Sequence, residues 1–519
     1  MKKLFLFCLL LLTFFISGCN IPGGNKQGED IPSDKEKIEQ LVQENLAKIS
    51  SFIDIDFVPE TSELVSEITI YTVNDFHGAL LEVNGTAGAA RLGQYLISKK
   101  NENPNGTIIL AAGDMFQGTA ISNYRYGLDV INWMNAVKFD AMTIGNHEFD
   151  WNLNEILKYR DSDLSNGEAN FPLLGANIYQ KSIDNIPNNL EPYTIIERGG
   201  VKIGVIGYIG YGLENDIATS MVADYRFEKP VLIIETIANY LREEEKVDIV
   251  IALGHDGSDA TNSALVASSS KIDAIINGHL HLEKTEHLSG SKGRLVPIVQ
   301  AGSSGSYIGE ITFTIDPNTK EISNSFVRTI KMDSYLPENP SIKDYIEAIT
   351  NATAPLFSRV IGVAGKRIYS RNDVVQWAVN ALKEQKSVDV AFINYGGIRF
   401  DAFPIDNDEK ITVSKVYQIM PFDNTIKLVK LSGAVIRGLM ESDLAYSSNL
   451  QKSGSYCTID NKMLEDNKLY TVASIDFVFD QEKYPFLKGT DIIVTGELFR
   501  NTIIYGIEEL TKKQLKWIP

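Results

Sequence analysis

Five of the six histidines in this 519-residue chain follow an apolar run and stand close to a glycine: His77, His147, His255, His279 and His281. Asp75, Asp114 and Asn146 occupy the same kind of position. Turns after strands thus deliver imidazole nitrogens, carboxylates and an amide oxygen together. Such a mixed donor set suits divalent zinc, manganese, iron or cobalt, whereas magnesium and calcium favour oxygen alone. These donors exceed what one ion with an open position can use. Two ions about 3.5–4 Å apart and sharing a carboxylate would use them all, and could clamp the attacking and leaving oxygens of a phosphoryl centre. Asp114, the lone carboxylate of the Gly113-Asp114 step, is the expected bridge. His287 lies in a polar stretch and reads as exposed.

The densest stretch is Ile144-Gly145-Asn146-His147-Glu148-Phe149-Asp150, where Asn146, His147 and Asp150 can bind a metal or move a proton. A glycine turn after a parallel strand is where an α/β protein presents its chemistry. From Glu67 the pattern supplies such strands, alternating with helical segments as in βαβ units. The strands are expected at Ile68–Val73, Thr107–Ala112, Ala141–Ile144, Leu173–Ala176, Val201–Ile209, Asp248–Leu253, Asp273–Ile276 and Val296–Gln300.

Composition narrows the partners. The chain is 44% apolar and 22% charged, as in a globular protein, and too long for one core. Its net charge of −18 excludes a nucleic-acid polymer as the main partner. The same charge would repel a phosphate substrate unless local cations intervene, which a metal site would provide.

Residues 1–19 read as a leader: Lys2 and Lys3, an apolar run from Leu4 to Ile16, then Ile16-Ser17-Gly18-Cys19, which resembles a bacterial lipobox. A lipid on Cys19 would anchor the protein to a membrane outside the cytoplasm, at the cell surface or periplasmic face. Cys457 is then the only remaining thiol, a packing or surface residue, and no intrachain disulfide is possible. Residues 20–66 form a tether and a short helix from about Lys35 to Phe52, with Ile38, Leu41, Val42, Leu46 and Ile49 on one face. That helix either docks on the body or serves as a stalk.

Asp75-x-His77, Gly113-Asp114, Gly145-Asn146-His147-Glu148, Gly254-His255 and Gly278-His279-x-His281, in that order, resemble the calcineurin-like metallophosphoesterases. The forms Asn74-Asp75-Phe76-His77-Gly78 and Asn146-His147-Glu148-Phe149-Asp150 narrow the likeness to the 5'-nucleotidase family. The resemblance implies a four-layer α/β/β/α domain over 67–335, a linker helix over 336–358, acting as a hinge, and an α+β substrate-binding domain over 359–519. It further implies one metal held by Asp75, His77, Asp114 and His281, and a second by Asp114, Asn146, His255 and His279. His147 and Asp150 become a dyad facing the phosphate, with Glu148 a structural neighbour. Activated water would cleave nucleotide phosphate esters, releasing nucleoside and phosphate from 5'-nucleotides. The alternatives are UDP-sugar hydrolysis, 2',3'-cyclic-nucleotide phosphodiesterase or 3'-nucleotidase activity, or a non-catalytic, nucleotide-binding or adhesive lipoprotein. Two departures, Gly254 for the usual Thr or Ser and Leu280 for a frequent Ser, remove no ligand.

In the second domain Asn394-Tyr395-Gly396-Gly397-Ile398-Arg399 matches the family's Asn-x-Gly-Gly-x-Arg substrate motif. Phe422, in Pro421-Phe422-Asp423-Asn424, matches a ring that stacks on the nucleobase. Arg371 is a further candidate arginine, in surroundings that lack the family's pattern. Helices are expected near Ser341–Phe357, Asp373–Lys386, Val413–Ile419 and Gly433–Asp443. The family's Gly-Gly-Asp-Gly-aromatic segment, which carries a second ring, should follow a strand at Thr471–Phe479. Its glycines are missing from 480–489, leaving Tyr484 or Phe486 as the candidate ring.

Overall fold

The computed structural model describes residues 34–82, 86–290, 293–454 and 456–519. The leader, Cys19 and the tether up to residue 33 lie outside the described residues. Among the described residues, no helix is long and apolar enough to cross a membrane.

The first part of the chain builds two six-stranded sheets. In one, Glu67–Val73, Thr107–Ala111, Ala141–Thr143 and Leu173–Leu174 run parallel. In the other, Val201–Ile209, Ile249–His255, Ala274–Ile276 and Leu295–Ala301 do the same. Side chains alternate across each strand, and the alternation sorts them into layers. Ile68, Ile70, Ile108 and Leu110 of the first sheet meet Ile203, Val205, Ile249 and Ile251 of the second in one buried cluster. The intervening residues face outward: Ile109 and Ala111 pack under Leu92, Leu96, Trp133 and Met134 of two helices. Val250 and Ala252 likewise pack under Ile234, Ala238 and Leu265. The result is the four-layer α/β/β/α arrangement.

Each expected strand is present, some shortened by a residue or two. The antiparallel strands were not expected: Tyr193–Arg198, Glu283–Ser289, Tyr307–Ile315 and Ile322–Lys331. Glu283–Ser289 and Ile322–Lys331 are edge strands of mostly polar sequence, so no continuous apolar run marks them. His287 lies exposed on the first of these.

The linker helix Pro340–Phe357 starts at the Asn339 cap, whose side chain accepts from the Ile342 amide at 3.1 Å. Beyond it a five-stranded mixed sheet is ordered Leu444–Tyr446, Val390–Asn394, Leu469–Ile475, Thr425–Ser432, Thr490–Leu498. Helices Arg371–Lys386 and Phe499–Lys512 share its core, as does the buried Cys457. The strand expected at Thr471–Phe479 ends at Ile475, and a helical turn, Asp476–Phe479, follows. The helix expected at Gly433–Asp443 stops at Leu439.

Helix Asp34–Leu46 docks rather than standing free. Val42 and Leu46 join the core of the first domain, and the helix lies along the linker helix. It ends six residues before Phe52, and the chain then runs irregularly, with the Val58 amide donating to Asn101 at 2.8 Å. Leu46 is 4% exposed and Leu41 47%. Leu46→Ala should therefore lower unfolding free energy by about 2–5 kcal/mol, and Leu41→Ala by less than about 0.5 kcal/mol, in urea titrations.

Candidate active site

The turns that follow the parallel strands meet above the gap between the two sheets. Two groups of donors form there: Asp75 with His77 and His281, and Asp114 with His255 and His279. Asn146 joins the second group, its Oδ1 lying 3.1 Å from His255 Nε2 and 3.0 Å from His279 Nδ1. Five of these residues, Asp75, His77, Asp114, His279 and His281, have φ between +49° and +76°. Each such backbone costs on the order of 1–3 kcal/mol and persists only where its surroundings over-determine it. Here the strain aims side chains inward. Gly113, at φ +79°, lets the Asp114 turn approach His255, whose Nδ1 would lie 2.6 Å from an added Cβ.

The hydrogen bonds decide which imidazole nitrogens face the centre. His77 Nδ1–H donates to the Gln117 carbonyl at 2.9 Å, and His255 Nδ1–H to the Ala112 carbonyl at 2.8 Å. Each leaves an Nε2 lone pair pointing inward. His77 Nε2 meets His281 Nε2 at 3.0 Å, and His255 Nε2 meets Asp114 Oδ2 at 3.1 Å. Electron pairs converge on electron pairs, which is the donor set of a cation site. Burial opposes charge on His255, yet Asp114 and Asp75 push its pKa up to about 10, so a proton and a metal cation compete for the same Nε2 lone pair. Burial, with Arg399 and His281 nearby, holds His77 well below the usual imidazole range. The residues therefore fit a pair of divalent ions.

His147 sits over the same centre. Its amide donates to Asp114 Oδ1 at 2.8 Å, and its Nδ1 lies 2.8 Å from Asp150 Oδ2. Burial works against its charge, but Asp150 and Asp114 raise its pKa above the usual value. Glu148, fully buried, accepts hydrogen bonds from the Gly145, Asp114 and Met115 amides at 2.7, 2.8 and 2.9 Å. It holds the bridge candidate's turn against the turn that bears Asn146 and His147, which is more than a neighbour's role. A carboxylate two places after the Gly145-Asn146 step was the available signal.

The second domain closes the centre. Arg399 Nη2 lies 3.3 Å from His77 Nε2, and the Phe422 and His147 ring centroids are 5.5 Å apart. A cavity of about 430 Å³ is lined by Asp114, Asn146, His147, Asp150, His279 and His281 on one side. Arg371, Asn394, Gly396, Gly397, Arg399 and Phe422 line the other, so every described site residue except Asp75, His77 and His255 borders it directly.

Tyr484 and Phe486 do not border it. Phe486 stacks on Phe479 in the core at 5.4 Å, and the Tyr484 hydroxyl donates to Asp443 at 2.5 Å. The ring that does line the cavity is Phe477, on the helical turn after Ile475. It was missed because Asp476-Phe477-Val478-Phe479 alternates like the end of a strand. Phe400, Asp216 and Met221 also line the cavity unforeseen. Gly254 has a local reason: a Cβ there would overlap the Tyr208 ring.

Comparison with known proteins agrees with this architecture. Residues 68–283 match the calcineurin-like phosphoesterase model, and residues 360–458 the 5'-nucleotidase C-terminal domain. A snake venom 5'-nucleotidase of Naja atra is 30% identical over 430 residues, 72% of this chain and 77% of that protein. The chain belongs to the 5'-nucleotidase family. An apyrase of Tabanus yao is 27% identical over 441 residues, covering 76% of this chain and 77% of its own length. The crystal structure of a 5'-nucleotidase precursor from Thermus thermophilus superposes with a TM-score of 0.71 at 21% identity, over 86% of this chain and 96% of that one. As a family member the chain is a metal-dependent phosphoric ester hydrolase.

Glu148→Gln keeps the size but presents an NH₂ group to one of the three amides. It should weaken binding of the second metal equivalent by about 10–100-fold in Mn²⁺ titrations followed by EPR, with the thermal melt of the metal-free protein little changed.

Proposed function

We propose that this protein hydrolyses 5'-nucleotides to nucleoside and phosphate at a two-metal centre. The observation that carries the reading is the shared cavity, which sets cation ligands, two arginines and three phenylalanine rings around one space. Asp75, His77, Asp114 and His281 would hold one ion, and Asp114, Asn146, His255 and His279 the other. Bound there, the ions supply Lewis-acid activation of water and neutralise phosphoryl charge. Arg399 and Arg371 add fixed positive charge on the substrate side, which a protein of net charge −18 needs to hold an anion. Gly396 and Gly397 let backbone approach the ligand, beside Asn394.

His147 has the position for the chemistry. Its Nδ1–H is held by Asp150, and the raised pKa keeps the ring charged to higher pH than a free imidazole. Its Nε2 stabilises charge that builds on the phosphoryl and leaving oxygens as the new P–O bond forms and the ester bond breaks. Phe422 and Phe477 offer flat faces to the base. A lipid on Cys19 would keep the enzyme on the outer face of a membrane, at the cell surface or in the periplasm. Nucleotides there would be degraded for nucleoside salvage or phosphate supply.

A second reading, UDP-sugar or 2',3'-cyclic-nucleotide hydrolysis, draws on the base end of the cavity. Without the glycine frame at 480–489, the cavity lining includes Met221, Phe400 and Phe477, an apolar set that can admit other groups. A non-catalytic adhesin would have no use for a strained donor set or for the His147–Asp150 pair.

Protein stripped by a chelator should be inactive, and regain phosphate release from AMP when Mn²⁺ or Zn²⁺ is restored. Ranking AMP, UMP, UDP-glucose and 2',3'-cyclic AMP by kcat/KM separates the two readings: a UDP-glucose or cyclic-nucleotide maximum favours the second. Failure to cleave any phosphate ester would sink both. Replacing His147 with Ala should slow turnover about 10²–10⁴-fold in the fully metal-loaded enzyme; an unchanged rate would remove it from the mechanism.

A further inference from the structure

Phe422 stands on a loop that no strand or helix holds. The helix Val413–Ile419 has just ended, and the strand that follows begins at Thr425. Loop carbonyls in such a stretch must find partners or lose free energy. Three of them, at Met420, Pro421 and Phe422, find the same side chain. Arg500, 3% exposed, sits near the start of the terminal helix Phe499–Lys512, far along the chain from the loop it serves. Its Nη1 donates to the carbonyls of Pro421 at 2.9 Å and Phe422 at 3.1 Å, and reaches Met420 at 3.5 Å. Its Nη2 donates to Asp423 Oδ1 at 2.5 Å. The guanidinium therefore spans the loop from one end to the other.

One face of that guanidinium lies over the Tyr417 ring, its Cζ 3.7 Å from the ring centre. Tyr417 in turn packs edge-on to Phe357, the last residue of the linker helix, at 5.3 Å. A planar cation with a ring on its face and carbonyls along its edge is fixed in orientation by both. Lysine, a point charge on a flexible stem, cannot reproduce it. One further contact comes from the first domain, where Asn123 Nδ2 donates to the Pro421 carbonyl at 2.9 Å.

We infer that Arg500 is a positioning residue for nucleotide recognition: it sets the Phe422 ring at its place beside His147, and acts on substrate only through that ring. The inference rests on the stacking role of Phe422 proposed above. Arg500 does not line the cavity. Its loss should free the loop while leaving the metal end, built wholly from the first domain, as it was.

The experiment uses the full metal-loaded enzyme with two substrates: AMP, which has a base, and p-nitrophenyl phosphate, which has none. Arg500→Met should raise KM for AMP about 10–100-fold, the range set by loss of one base-stacking contact, with kcat for p-nitrophenyl phosphate within about threefold. Phe422→Ala should raise KM for AMP similarly, and the double variant should be no worse than Phe422→Ala alone. Additive effects, or equal losses on both substrates from a folded protein, overturn the inference. Should Arg500→Met fail to fold by circular dichroism, Arg500→Lys is held to the same three criteria. Phe422→Ala that leaves KM for AMP unchanged refutes the stacking role itself, and this inference with it. Phosphate release from p-nitrophenyl phosphate but not from AMP refutes the nucleotide reading.

Discussion

The candidate centre depends on one buried carboxylate that belongs to neither donor group and does not line the cavity. Glu148 accepts three backbone amides and so fastens the Gly113–Asp114 turn to the turn at Gly145. These turns follow neighbouring parallel strands, and each strand alone leaves its turn free to choose among conformations. The Glu148 grip removes that choice. Burial and the nearby Asp114 raise its pKa to about 7, so the molecule keeps a carboxylate where a carboxylate is costly. The three amides offset part of that cost. The remainder is stored alongside the left-handed backbone of Asp75, His77, Asp114, His279 and His281.

Strain of this kind needs a rigid support, and the two face-packed sheets provide it. Ile249, Ile251 and Leu253 point into the layer between the sheets, directly below His255 on the same strand. A shift of one residue in that strand would move its apolar set to the other face. The register that buries the core is therefore also the register that aims His255. Neighbouring strands do the same for the Asp114 and Asn146 turns. Core packing and ligand placement are one constraint here.

This is why the metal end was legible in the sequence and the substrate end only partly so. Strand end, glycine and donor fall within a few consecutive residues at Val73–Gly78, Ala111–Asp114 and Thr143–His147, so local pattern sufficed. The same holds for Asn394–Arg399, which follows the strand Val390–Asn394 at once. Phe477 has no such mark. Its position depends on where the strand ending at Ile475 turns into a helix, a choice fixed by Asp476, which accepts from the Thr425 amide at 2.9 Å and from the Thr425 hydroxyl at 2.7 Å. That contact joins residues 51 apart in the chain. Tyr484 and Phe486 resembled site residues by their place in the chain, but their apolar surface was claimed by the core. The antiparallel edge strands were obscured for a different reason: one exposed face and an unpaired edge reduce their apolar content.

The two halves of the site also differ in how they meet an anion. At the metal end, carboxylates and imidazoles converge so closely that only cations can reconcile them, and any phosphate there is attracted by charge that the protein has to acquire. At the substrate end the positive charge is covalent, in Arg371 and Arg399, and stands among rings. A chain of net charge −18 thus presents a positive interior only when both halves face each other across the cavity. The His147 ring, 5.5 Å from Phe422, lies at that junction. Its protonation answers to Asp150 and Asp114 of the first domain, while the ring beside it is carried by the second. In the proposed reaction, alignment of the domains therefore governs more than access: it would bring the His147 imidazole, the arginines and the Phe422 ring to one substrate at the same time.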